Sequence, residues 1–177
     1  MKKNILRGLF LGIFFFSFQV FSQSSLQFYN THTAETYSGA YKDDFGNYIP
    51  EALERINYIL RDHRTNETHK IDVHLLDALH EISMGLGKDC KSTPICFHVI
   101  SGYRSPSTNN MLRQKSKSVY HKSAHMTGCA IDIRVPGVPL RALCDKAISL
   151  KKGGVGYYPQ SNFIHVDTGK VKTWTGC

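Results

Sequence analysis

The stretch Gly153–Trp174 reads GGVGYYPQSNFIHVDTGKVKTW, and it decides the fold class. Gly153-Gly154 opens a short run through Tyr157, and Pro159 turns the chain. Phe163–Asp167 is a second run and Val171–Trp174 a third. Brief runs rich in Val, Ile, Tyr and Phe, set off by Gly, Pro and Asn, predict strands joined by tight turns. Side chains alternate along a strand, so His165 and Asp167 point to the same side.

Upstream, Ala130–Val135 predicts another strand, cut off by Pro136-Gly137. Ile95–Ile100 predicts a buried one, bounded by Pro94 and Gly102. Between these runs the period changes. Pro139 opens a helix with Leu140, Leu143, Cys144 and Ala147 at i, i+3, i+4 and i+7, and a short helix is expected over Thr108–Lys115. Upstream, Pro50 suits a first helical turn, and Leu53, Ile56, Ile59 and Leu60 recur at helical spacing until near Asp62. After a polar loop, His63–Lys70, Asp72 is a plausible N-cap for a helix with Leu75, Leu76, Leu79 and Ile82 on one face. Gly85 and Gly87 are expected to stop it. Gln23–Asn47 is polar and without sustained period, and reads as a tether or wrapping segment. The expected fold is α+β: N-terminal helices packed on a small antiparallel sheet, in one domain over residues 48–177.

The N-terminus reads as an export signal. Lys2, Lys3 and Arg7 form a positive n-region, Gly8–Phe18 an apolar core, and Val20-Phe21-Ser22 offers a small residue at the cleavage position. Residues 1–22 are therefore expected to be removed, or to persist as an N-terminal anchor, and the protein to act in the periplasm or at the cell wall. No Cys follows the apolar run, which argues against a lipoprotein.

The chain has 177 residues, 41% hydrophobic and 20% charged, which excludes disordered and fibrous classes. No window reaches the roughly 18 consecutive apolar residues of a membrane-spanning helix. The formal charge of +8 falls to +5 without Lys2, Lys3 and Arg7. That balance suits an anionic partner such as a cell-wall polymer or a lipid surface. No basic run is interleaved with aromatics, so no nucleic-acid partner is expected. All five cysteines, Cys90, Cys96, Cys129, Cys144 and Cys177, lie beyond the signal, where disulfides are permitted. A short loop closed by Cys90 and Cys96 is the first expectation, leaving one thiol unpaired or paired between chains. With no CxxC, a zinc ribbon is not expected.

Chemistry concentrates in three places. In His125-Met-Thr-Gly-Cys-Ala-Ile-Asp132, an imidazole and a carboxylate seven positions apart, with Gly128 between, fit a turn leading into a strand. His165 adds a second imidazole. His, Asp and His supply nitrogen and oxygen ligands with a fourth position open, as a catalytic zinc site requires. The alternative for a histidine in a strand is a hydrogen-bonded core residue. The third place is Ser101-Gly102-Tyr103-Arg104-Ser105-Pro106, where an Arg at a turn past a strand end could grip a carboxylate bidentately or could be a plain surface residue.

SGYRSPSTN at Ser101–Asn109, SAHMTGCAIDIR at Ser123–Arg134 and GGVGYYPQSNFIHVDTGKVKTW at Gly153–Trp174 together resemble the murein endopeptidase K family. This family sits within a wider group of zinc D-Ala-D-Ala peptidases, lysostaphin-type enzymes and hedgehog signalling domains. YIPEALERINYILRDHRTNE, Tyr48–Glu67, also looks like the family's N-terminal part, so the resemblance spans roughly Tyr48–Trp174.

The resemblance implies one Zn2+ per chain, held by His125, Asp132 and His165. It implies that Arg104 holds substrate, and that the substrate is the peptide stem of peptidoglycan. The expected activity is endopeptidase cleavage of cross-links, with a carboxypeptidase on stem ends, a non-catalytic wall-binding module and a structural zinc domain as alternatives. Several relatives in the wider group place a Glu or His two or three residues before the last ligand. Phe163 and Asn162 stand there in this chain, and neither can take a proton. Asp167 is the nearest carboxylate, as general base or as the group orienting a ligand imidazole. Tyr157 and Tyr158 are expected as half-buried sheet residues or groove walls, Trp174 as packing that closes the sheet, and Cys129 as a small buried filler or disulfide partner.

Overall fold

The computed structural model describes residues 24–89, 95–116 and 119–176. The signal sequence expected over 1–22 lies outside them. In chain order the elements are β1 (Ser25–Asn30), β2 (Thr36–Ala40), α1 (Pro50–Ile59), α2 (Val73–Asp89), β3 (Cys96–Ser101), α3 (Pro106–Lys115), β4 (Ala130–Arg134), α4 (Leu140–Leu150), β5 (Gly154–Tyr158), β6 (Phe163–Asp167) and β7 (Lys172–Thr175). A single 3₁₀ turn, Ala124–Thr127, precedes β4.

The fold is mixed α and β, but the sheet is neither small nor purely antiparallel. Among the described residues, seven strands form one mixed sheet in the order β2-β1-β3-β4-β6-β5-β7. The pairs β1/β3 and β5/β7 are parallel and the other four are antiparallel. The segment expected as a tether supplies β1 and β2, so the helices follow two strands instead of preceding the sheet. The parallel β1/β3 pair results: β2, α1 and α2 intervene between the two strands, a connection long enough for a crossover.

One face of the sheet makes the core. Phe28, Phe97, Val99, Ile131, Ile133, Val155, Ile164 and Val166 are buried there, with Leu75, Leu76, Leu79, Ile82 and Leu86 of α2 and Leu143, Cys144 and Ala147 of α4. Asp72 caps α2 as expected, its Oδ1 accepting the His74 N–H at 3.0 Å. Gly85 and Gly87 do not stop α2, which runs on to Asp89. A methyl at Gly85 would meet the end of the Lys146 side chain, which reaches over from α4.

Cys96, Cys129 and Cys144 are free thiols. Cys90, the expected partner of Cys96, lies outside the described residues, as does Cys177. No helix among the described residues is long and apolar enough to cross a membrane.

Candidate metal centre

Strand register builds the site on the face of the sheet opposite the core. Ser101 of β3 pairs with Asp132 of β4, Asp132 with His165 of β6, His165 with Gly156 of β5, and Gly156 with Trp174 of β7. Paired residues share a face, so these five form one row across the sheet. His125 enters from the 3₁₀ turn. Gly128 ends that turn with φ of 69°, and a Cβ there would run into the Lys70 carbonyl oxygen. Only glycine combines that backbone angle with so close an approach.

His125, Asp132 and His165 converge. The His125 Nε2–His165 Nδ1, His165 Nδ1–Asp132 Oδ1 and His125 Nε2–Asp132 Oδ1 separations are 3.2, 2.9 and 3.3 Å. Two ligands bound at about 2.0–2.1 Å to a tetrahedral zinc stand roughly 3.3 Å apart, so the triangle has the size zinc needs. Both outer ring nitrogens are committed in the matching sense. His125 Nδ1–H donates to the Gly102 carbonyl at 2.7 Å, which leaves the Nε2 lone pair for a metal. His165 Nε2–H donates to Asp167 Oδ2 at 3.2 Å, which aims Nδ1 at the triangle; without a metal that nitrogen carries a proton toward Asp132 Oδ1, and a metal would take the proton's place. Such outer partners fix the tautomer and the ring plane of a ligand histidine.

The electrostatics agree with a cation-binding centre. Burial keeps His125 neutral by lowering its pKa, with Asp132 opposing. Burial works against the Asp132 carboxylate, yet His125 and His165 hold its pKa well below the usual range. His165 is pushed up to about 9: burial alone would lower it, but its hydrogen bonds to Asp132 and Asp167 win. Asp167 is pulled down to about 2; burial opposes, and hydrogen bonds from His165, Gly169 N–H and Gly154 N–H prevail.

Asp167 has both oxygens occupied. Oδ2 takes His165, and Oδ1 accepts the Gly154 and Gly169 amides at 3.0 and 2.8 Å. A methyl on Gly154 would come within 2.5 Å of this carboxylate, so glycine clears the space it fills.

Arg104 reaches the row from the turn after β3. Its Nη2 donates to Ser101 Oγ at 3.2 Å and stands 3.4 Å from Asp132 Oδ2, while its buried Nε has no partner among the described residues. The turn is tied to His125 in both directions, since Arg104 N–H donates to the His125 carbonyl at 3.2 Å. Its other side is held by the segment that follows α1: Tyr103 N–H donates to Leu60 O, and buried Asp62 accepts the Ser105 amide at 2.8 Å.

A cavity of about 460 Å³ opens over the triad. Arg104, Tyr158, Phe163, Asp167 and Trp174 line it, with exposed Lys122, Lys170 and Lys172 among the remaining wall residues. The structure thus brings together every residue expected at the site. Trp174, expected as packing, is also a wall of the site, its ring 5.4 Å from His165. Tyr158 is a wall and Tyr157 packs against the core. The three lysines and Asp62 were not anticipated as site residues. Gly154 and Gly156 were the available signal, because glycine inside a strand often marks a close approach.

Comparison with known proteins agrees in extent and kind. Residues 20–174 match the family model Peptidase_M15_2, described as peptidoglycan L,D-endopeptidase MepK. The chain belongs to that family. It is 44% identical over 177 residues to the probable peptidoglycan L,D-endopeptidase MepK of Haemophilus influenzae, covering 97% of this chain and 92% of that one. It is 42% identical over 145 residues to the peptidoglycan L,D-endopeptidase MepK of Escherichia coli K12, covering 82% and 76%. No solved structure matches. The family match begins at residue 20, so it takes in β1 and β2 as well as the part whose motifs carry the resemblance.

Proposed function

We propose that the protein is an exported, zinc-dependent peptidoglycan endopeptidase that hydrolyses an amide bond in peptide cross-links. One observation carries the reading: three ligand atoms form a triangle of about 3 Å sides under an open cavity, in a chain of this family. Two imidazoles and one carboxylate suit zinc, and a structural site would instead be closed, usually by thiolates. His125, Asp132 and His165 would hold the ion. Bound there, zinc would polarise the scissile carbonyl and bring the pKa of a bound water toward about 7.

The chain's own residues do the rest. Gly102 and Asp167 hold the two ligand imidazoles in the ligating tautomer. Three hydrogen bonds hold Asp167 and its pKa is pulled down to about 2, which makes it a weak base and favours this orienting role over that of general base. Arg104 presents buried guanidinium donors at the edge of the triad, suited to a substrate carboxylate or to the oxyanion that develops at the carbonyl. The apolar wall of Phe163, Tyr158 and Trp174 limits water around the reacting groups. A family of cell-wall enzymes and the charged, apolar N-terminal sequence support export.

The test is a digest of purified cross-linked peptidoglycan, with muropeptides read by mass spectrometry and with chelator and His165→Ala as controls. Conversion of dimers to monomers, abolished by both controls, is the expected result, and product masses identify the bond. Loss of a terminal residue would instead make the protein a carboxypeptidase. Unchanged sacculi with one equivalent of zinc bound would leave a wall-binding module.

A further inference from the structure

The row Ser101–Asp132–His165–Gly156–Trp174 has a cation at each end. At the β3 end Arg104 touches Ser101 and Asp132. At the β7 end the Lys172 ammonium lies over the Trp174 ring, 5.0 Å from its centroid. The triad sits between them, with Asp132 on β4, His165 on β6 and His125 on the 3₁₀ turn before β4. From β3 to β7 there are four inter-strand spacings, about 19 Å at ~4.8 Å each. An extended peptide of about five or six residues spans that distance.

The β7 end is built, not incidental. Trp174 Nε1–H donates to Tyr158 Oη at 3.0 Å, and Tyr158 stacks on Phe163 with centroids 4.6 Å apart. Two glycines make room for this wall. A Cβ at Gly156 would lie 2.6 Å from the Trp174 ring, and one at Gly176 would run into the Tyr158 ring. The indole, hydrogen-bonded to Tyr158 and backed by Gly156, lies under the Lys172 ammonium, which stands beside the cavity. Lys170, exposed on the β6–β7 turn, adds a second positive charge to the same rim.

Resting on the peptidase reading, we infer that Lys172, seated on Trp174, forms a second carboxylate subsite on the far side of the triad from Arg104. The substrate it selects is a peptide bearing a carboxylate on each side of the scissile amide. A cross-linked pair of stems meets that description; a bond at a chain end has its terminal carboxylate within one residue of the scissile amide, too short to reach across the two inter-strand spacings, about 9.6 Å, from β6 to β7. The two subsites therefore favour internal cross-links over terminal residues.

The test uses the zinc-loaded protein and a synthetic cross-linked stem dimer. Two further dimers have the carboxylates of one stem or of the other amidated. Binding is measured by calorimetry for wild type and Lys172→Gln, with cleavage followed separately. One singly amidated dimer should bind wild type roughly tenfold more weakly than the free acid, the scale of a lost charge-assisted contact. Lys172→Gln should weaken the free acid by a similar factor, show no further loss with that amidated dimer, and keep full sensitivity to the other. The Lys172-dependent part should shrink at high salt. Equal weakening of all three dimers by Lys172→Gln, no weakening of any, or no binding at all would overturn the subsite. Charge-patterned binding without cleavage would keep the subsite and sink the peptidase reading. Cleavage indifferent to Lys172 would do the reverse.

Discussion

Gly156 and Trp174 are register partners across β5 and β7, and a single methyl at 156 would stand 2.6 Å from the indole. The same glycine pairs on its other side with His165. One missing side chain thus lets an aromatic wall reach to the edge of the His165 imidazole.

Gly156→Ala should therefore injure activity more than stability. The ring must move by the better part of an ångström, and displacements on that scale cost on the order of tenfold to a hundredfold in rate. The expected result is that loss in kcat/KM on a cross-linked peptide, with a melting temperature lowered by only a few degrees. Unaltered kinetics would mean that the indole is packing alone.

Asp167→Asn separates orientation from proton transfer. The amide preserves shape but loses the charge that accepts His165 Nε2–H and the Gly154 and Gly169 amides. An orienting partner of a metal-ligating histidine is worth roughly 10–100-fold in metal affinity. Zinc affinity, measured against a competing chelator, should fall by that much, and saturating zinc should restore most of the activity. A base, by contrast, could not be rescued by metal, so a variant that binds zinc fully and stays inactive would return Asp167 to that role.

The triad was legible in the sequence because strand alternation and the turn-to-strand motif are local patterns, and the resemblance placed them in register. β1 was not legible. Its inward residues are Leu26, Phe28 and Asn30, and the polar third member breaks the alternation. Asn30 is buried because its amide donates to Ile59 O and its carbonyl accepts two loop amides, partners that only the fold supplies. The same holds for Trp174, whose place depends on a glycine eighteen positions away.

His63 predicts a defined stretch of acid sensitivity. Burial lowers its pKa to about 4, with His32 and Arg64 adding to the effect and Asp62 opposing; the His32 ring stacks on it at 3.7 Å. A histidine with a depressed folded pKa is neutral in the fold while the unfolded chain still protonates near 6.5. The unfolded state then binds more protons between about pH 6.5 and 4, so stability falls as pH falls through that window. His63→Leu should flatten this part of the profile relative to wild type, as read by denaturant midpoints at each pH. Parallel profiles for the two proteins would show that the window belongs to other groups.

Two more glycines should respond in opposite directions to the same substitution. Gly85 lies inside α2, where Ala is the better helix former by roughly 1 kcal/mol. The atoms its methyl would meet are the far end of Lys146, a flexible chain that can swing aside. Gly85→Ala should therefore leave stability unchanged or raise it by up to about 1 kcal/mol. Gly128 has φ of 69° and faces the Lys70 backbone carbonyl, which cannot swing, and its own carbonyl accepts the Asp72 amide at 3.0 Å. Gly128→Ala should cost on the order of 1–3 kcal/mol and weaken zinc binding as well, because the turn it ends carries His125. Denaturant midpoints for both variants, with zinc titrations of the second, check the contrast. The decisive quantity is what the methyl meets, a mobile side chain in one case and fixed backbone in the other.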